Sequence, residues 1–172
     1  MYLQTITLFV GWVGVYFYIK RKKIAPYLNL LNAISSMLIY YNAGIYGMLA
    51  LMPFIFVNIT LVAIKFHQNK QKQNLKLKTF LAGLLVGLAT FFLNDLGTNG
   101  GIITILTTFL SSIALLSQID NYKHTQKLWL LCSVLYTTHA YIYKLEITSI
   151  ENFGYIILSI FGVIKEKAEY IK

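Results

Sequence analysis

A few side chains that could do chemistry stand inside apolar surroundings. Asn29 and Asn32 are three residues apart, so on a helix they share one face. Asn58 lies in the middle of another apolar run, and amides at such depth can hydrogen-bond an uncharged polar solute. The bland alternative is that they bond one another or nearby carbonyls and act as helix glue. Tyr136 and His139 are again three apart, and Glu151 opens the last apolar run. Asn32, Asn58, Tyr136 and His139 are therefore the candidate solute-binding residues. Glu151 and His139 form a candidate proton-linked or gating pair, although a carboxylate at a helix start is equally explained by the helix dipole.

The remaining chemistry is excluded by what the chain lacks. It holds no zinc-type Cys/His spacing, no phosphate-binding glycine loop and no nucleophile elbow, so no catalytic residues, metal or cofactor are expected. Cys132 is the only cysteine and sits in an apolar run, as a small packing residue would. Thr104, Thr107, Thr108, Ser111 and Ser112 decorate one run; such hydroxyls usually bond back to helix carbonyls.

The elements that must position these groups are membrane helices. Of the 172 residues, 57% are hydrophobic and only 12% are charged, against about 25% in soluble domains. Seven apolar runs, at 3–19, 27–41, 45–66, 79–93, 102–116, 128–143 and 150–164, each approach the 17–25 residues that a span needs. Pro26 suits a first helical turn, and Asn42-Ala43-Gly44 makes a tight turn. Threading the runs alternately places fourteen of the 15 Lys and Arg on one side, leaving only Lys144 with Asp95, Glu146 and Glu151 on the other. The positive-inside rule then puts the amino terminus outside and the carboxyl terminus in the cytoplasm. The net charge of +9 is read as topology, not as nucleic-acid binding, and the first run as a retained anchor rather than a cleaved signal.

The two ends repeat at a constant offset of one hundred residues. Thr7, Phe9, Ile19, Lys23, Leu28, Leu30, Leu31, Tyr41, Ile64 and Lys65 recur as Thr107, Phe109, Ile119, Lys123, Leu128, Leu130, Leu131, Tyr141, Ile164 and Lys165. The expected fold is all-α, with seven transmembrane helices as two parallel three-helix repeats joined by a linker helix. Residues 1–66 form the first repeat, 67–99 a basic cytoplasmic loop with the linker helix, and 100–172 the second repeat with its tail. Gly83 and Gly87 share a face of the linker, spaced for close helix packing.

This order resembles the superfamily of SWEET sugar transporters, PQ-loop proteins and PnuC vitamin-precursor transporters. From Thr104 to Lys167 the chain is similar to the YgjV family of bacterial inner-membrane proteins. The resemblance is carried by Thr107-Thr108, Ala114-Leu115, Lys127-Leu128-Trp129-Leu130, Ser133-x-x-Tyr136-x-x-His139 and Ser149-Ile150-Glu151. SWEET-like proteins use an Asn on the third helix for substrate, which favours Asn58. The Pro-Gln dipeptide, the hinge prolines of SWEET helices and the Trp-rich signatures of PnuC are absent. The resemblance implies a bacterial inner-membrane carrier of a small polar solute, such as a sugar or vitamin precursor. Facilitative alternating access is expected, because no carboxylate lies in the middle of a run. Its partners would be the lipid bilayer and the solute, and association into a homo-oligomer is compatible with the sequence. A non-transporting assembly or partner-binding protein is the competing reading.

Overall fold

The computed structural model describes residues 2–20, 22–53, 55–56, 76–93, 101–119 and 124–170. Seven helices follow in order, and no strand occurs among the described residues. They are α1 (Tyr2–Ile19), α2 (Ala25–Asn42), a third helix α3, then α4 (Leu77–Leu93), α5 (Gly101–Ile119), α6 (Thr125–Ile142) and α7 (Glu146–Tyr170). The described part of α3 is a 3₁₀ helix at Tyr46–Leu51 followed by helical residues 52, 53, 55 and 56. Asn58 and the loop around Asp95 lie outside the described residues.

Most boundaries fall within a few residues of the apolar runs. Pro26 sits in the first turn of α2, as its missing N–H permits. The seventh helix departs furthest: it opens at Glu146, not near residue 150. The cause is the turn before it. Lys144 adopts φ 56°, and the Leu145 amide donates to the Ala140 carbonyl at 2.8 Å, closing α6 at once. The Ser149 amide then donates to the Leu145 carbonyl, so a new helix is already running. Glu151 is therefore inside the helix rather than at its cap.

The hundred-residue repeat is visible in the backbone. Helices α2 and α6 start at residues 25 and 125 and end at 42 and 142. Amides 43, 44 and 45 donate to carbonyls 39, 41 and 40, and amides 143, 144 and 145 donate to carbonyls 139, 141 and 140. The packing obeys the same relation. Helix α3 touches α5 just as α7 touches α1, and the neighbours α1–α2 and α5–α6 correspond. Helix α4 has no counterpart; it packs on α3 and α5, and its Gly83 and Gly87 face Ile113 and Phe109 of α5.

The surface is inverted relative to a soluble protein. Phe92, Leu77, Ile102, Leu85 and Phe9 are all more than 60% exposed, whereas Thr104, Thr107, Thr108, Ser111 and Ser112 are fully buried. Apolar side chains on the outside and hydroxyls within suit a hydrocarbon solvent. Helix α1 and the segments Gly101–Gln118 and Glu146–Lys165 are long and apolar enough to cross a membrane, and α4 is a shorter apolar helix. Three of these hydroxyls bond back to their own helix as expected: Thr107 Oγ1 donates to the Ile103 carbonyl at 2.6 Å, Thr108 Oγ1 to the Thr104 carbonyl at 3.0 Å and Ser112 Oγ to the Phe109 carbonyl at 2.7 Å, whereas the buried Ser111 Oγ makes no hydrogen bond. Cys132 is fully buried.

Candidate functional site: a cavity between the two halves

A cavity of about 190 Å³ lies between α1–α3 and α5–α7. Its wall follows the repeat. From α1 and α5 come Val15 and Tyr18, and Leu115 and Gln118. From α2 and α6 come Pro26, Asn29, Ala33 and Ser36, and Gln126, Trp129, Ser133 and Tyr136. From α3 and α7 come Ile55 and Tyr155. Each member of these sets has its partner one hundred residues away, and no pair is identical. The ten identities between the halves thus fall elsewhere. The two halves share a frame and differ where they face a solute.

The spacing 126, 129, 133, 136 is one helical stripe, and so are positions 29, 33, 36 and 40 of α2. On α7, Thr148, Asn152, Tyr155 and Ser159 form a third, with Glu151 beside it. Three of these groups are buried donors that make no hydrogen bond: Trp129 Nε1, Thr148 Oγ1 and Asn152 Nδ2. Asn152 points toward the Tyr40 hydroxyl without reaching bonding geometry. Unsatisfied buried donors are costly, and on a cavity wall they are ready for acceptors on a solute.

At one edge of the cavity four groups meet over Gly11 of α1. The Tyr155 hydroxyl lies 2.6 Å from Glu151 Oε1 and 2.9 Å from the Asn32 side-chain amide. The other amide atom of Asn32 lies 2.9 Å from the Thr7 carbonyl oxygen and 3.1 Å from Glu151 Oε1. A backbone carbonyl can only accept, so that atom is the amide nitrogen, and the amide oxygen faces Tyr155. A Cβ at Gly11 would overlap Tyr155, Glu151 and Asn32 together, so only glycine leaves room for the cluster. Nearby, Trp12 Nε1 donates to the Glu151 carbonyl at 2.9 Å, its ring seated against Gly154.

The structure sorts the sequence candidates. Asn32, Tyr136 and Glu151 line the cavity; Glu151 is only 2% exposed. His139 does not line it. It is fully buried behind the wall, its Nε2 2.9 Å from Thr104 Oγ1 on α5 and its ring against those of Tyr40 and Tyr143. Glu151 bonds Tyr155 and Asn32, so the expected pairing of Glu151 with His139 is replaced by a cluster of α7 with α2 and α1. Tyr40 is 2% exposed and also on the wall. Trp129, Thr148, Asn152 and Tyr155 were missed. The polar i, i+3/i+4 stripe on α7 was the signal that could have revealed the last three.

Seven helices with a lipid-compatible exterior, two repeated halves and a part-polar cavity between them define a small-solute membrane transporter. The chain belongs to the nicotinamide mononucleotide transporter family, whose model matches residues 1–167. It does so without the Trp-rich signatures noted above. A solved structure of the vitamin B3 transporter PnuC has the same fold, with a TM-score of 0.71 at 16% identity, covering 97% of this chain and 81% of that one. No curated protein matches the chain.

Proposed function

We propose that the protein carries a small polar solute of the vitamin B3 precursor kind across the bacterial inner membrane by alternating access. The halves 1–66 and 100–172 are the moving bodies, with 67–99 linking them. The observation that carries this reading is the cavity walled by equivalent positions of both halves, because rocking one half against the other would expose it to each side in turn. In this reading the amino terminus is outside, and Asn32, Tyr136 and Glu151 contribute to the site, with Asn58 a further candidate. We also read the three-one-three order as kinship with SWEET and PQ-loop proteins, and with the YgjV group.

The wall argues for the form of solute. Amides, hydroxyls, Tyr and Trp surround the cavity, and no Lys, Arg or His lines it among the described residues. A phosphate there would lack a counter-charge in a low-dielectric site, at a cost of several kcal/mol or about that order. An unphosphorylated ribonucleoside fits the chemistry better than a mononucleotide: aromatic rings for its base, amides for its hydroxyls. The test is uptake into proteoliposomes of radiolabelled nicotinamide riboside, nicotinamide mononucleotide and a panel of sugars. Uptake of the riboside alone, lost in Asn32→Ala, supports the reading. Absence of uptake for every compound would overturn it. The expected facilitative mode rests on no carboxylate lying in the middle of a run; Glu151 is buried, but near the start of α7.

A further inference from the structure

The cluster over Gly11 can be counted in hydrogens. Four polar contacts join Asn32, Thr7, Tyr155 and Glu151: amide to Thr7 carbonyl, amide to Glu151, amide to Tyr155, and Tyr155 to Glu151. An ionised Glu151 leaves three hydrogens for them, two on the Asn32 nitrogen and one on the Tyr155 oxygen. The Thr7 carbonyl fixes the nitrogen's orientation, so its two hydrogens go to Thr7 and Glu151. The single Tyr155 hydrogen must then serve either the Asn32 oxygen or Glu151. The contact left over sets two oxygens together with nothing between them. A hydrogen on the Glu151 carboxyl completes the set: Glu151 donates to the Tyr155 oxygen, and Tyr155 donates to the Asn32 oxygen.

We infer that Glu151, Tyr155 and Asn32 form a proton-binding site on the cavity wall, and that its occupancy is coupled to solute movement. When the proton leaves, the Tyr155 hydrogen turns to the carboxylate, and the Asn32–Tyr155 contact loses its hydrogen. That contact joins α2 of the first half to α7 of the second, so proton loss trades it for a charge-assisted Asn32–Glu151 bond and resets the seam that an alternating-access motion must open. The proton goes to water on whichever side the cavity faces. The groups around Glu151 leave this role to it. Helix α1 presents Thr7, Gly11 and Trp12, none of which titrates near neutrality. Helix α2 presents Asn32 and Tyr40, α6 presents Tyr136 across the cavity, and α7 adds Tyr155. His139 meets the Tyr40 ring edge to face and does not line the cavity. Among the described residues Glu151 is the sole acid on the wall.

The coupling rests on the transport reading; the proton site does not, and the experiments separate them. The purified full-length protein in nanodiscs is followed by infrared difference spectroscopy from about pH 5 to about pH 9, a range that spans ordinary and shifted carboxyl titration. A protonated-carboxyl band present at neutral pH, lost on alkalinisation and missing from Glu151→Gln supports the site. Glu151→Gln keeps the side chain's size and removes the titrating group, so any pH response of tryptophan emission that comes from Glu151 should be lost in it. A carboxyl that is ionised throughout, or a band unchanged in Glu151→Gln, overturns it. In proteoliposomes, an inward proton gradient should accelerate nicotinamide riboside uptake by the wild type and not by Glu151→Gln. Equal wild-type uptake with and without the gradient overturns the coupling. The Glu151-dependent carboxyl band at neutral pH together with no uptake of any solute would overturn both the coupling and the transport reading, while upholding the proton site.

Discussion

Asn29 and Trp129 occupy the same place in the two halves of this protein, each on the cavity wall, and they share no chemistry. One offers an amide, the other an indole whose N–H makes no hydrogen bond. The site is therefore built on a two-fold frame yet presents different groups from its two sides, as an asymmetric solute requires. Substituting Trp129→Phe keeps the ring and removes the donor. A solute acceptor would lose one hydrogen bond, about 0.5–1.5 kcal/mol, and affinity should fall about two- to tenfold in equilibrium binding. Asn152→Leu should act in the same direction, while both proteins keep their thermal stability.

Gly11 is the keystone of the seam between α1, α2 and α7. A methyl group there overlaps three side chains at once. Gly11→Ala should destabilise the protein by about 1–3 kcal/mol, as overpacking does, and abolish uptake. Gly154→Ala meets the Trp12 ring and should behave similarly, with a shift in tryptophan emission as the second readout.

Gly44 and Lys144 close α2 and α6 with φ of 73° and 56°. A Cβ at Gly44 would meet nothing within 4 Å, so any penalty there is conformational. Gly44→Ala should cost about 1–2 kcal/mol, and Lys144→Gly should relieve part of the same strain. Thermal unfolding in detergent measures both.

His139 stands behind the wall, bonded to Thr104 across α5 and α6. His139→Leu should lower stability by about 1–3 kcal/mol, since it strips a buried partner, and leave riboside affinity per folded molecule unchanged. A selective loss of affinity would return His139 to the site.

The threading can be checked by cysteine labelling in a Cys132→Ser background. A cysteine at Lys144 should react with an impermeant reagent added outside intact cells. Cysteines at Lys22 and Lys127 should react only after the membrane is opened.

What was legible in the sequence was whatever depends on one-dimensional order. Hydropathy places a helix because lipid leaves the backbone no other way to satisfy its hydrogen bonds. The hundred-residue period sets the fold class, and its backbone echo is the paired closure after residues 42 and 142. What only the tertiary structure decided was which polar groups meet. Glu151 and His139 were equal candidates in sequence, but the turn at Lys144 started α7 early and carried Glu151 inside. The glycines of α1 then let α2 and α7 approach until Asn32, Tyr155 and Glu151 touched. Helix rotation and close approach are set by packing partners far apart in the chain, so a periodic pattern can name a face but not what that face will find.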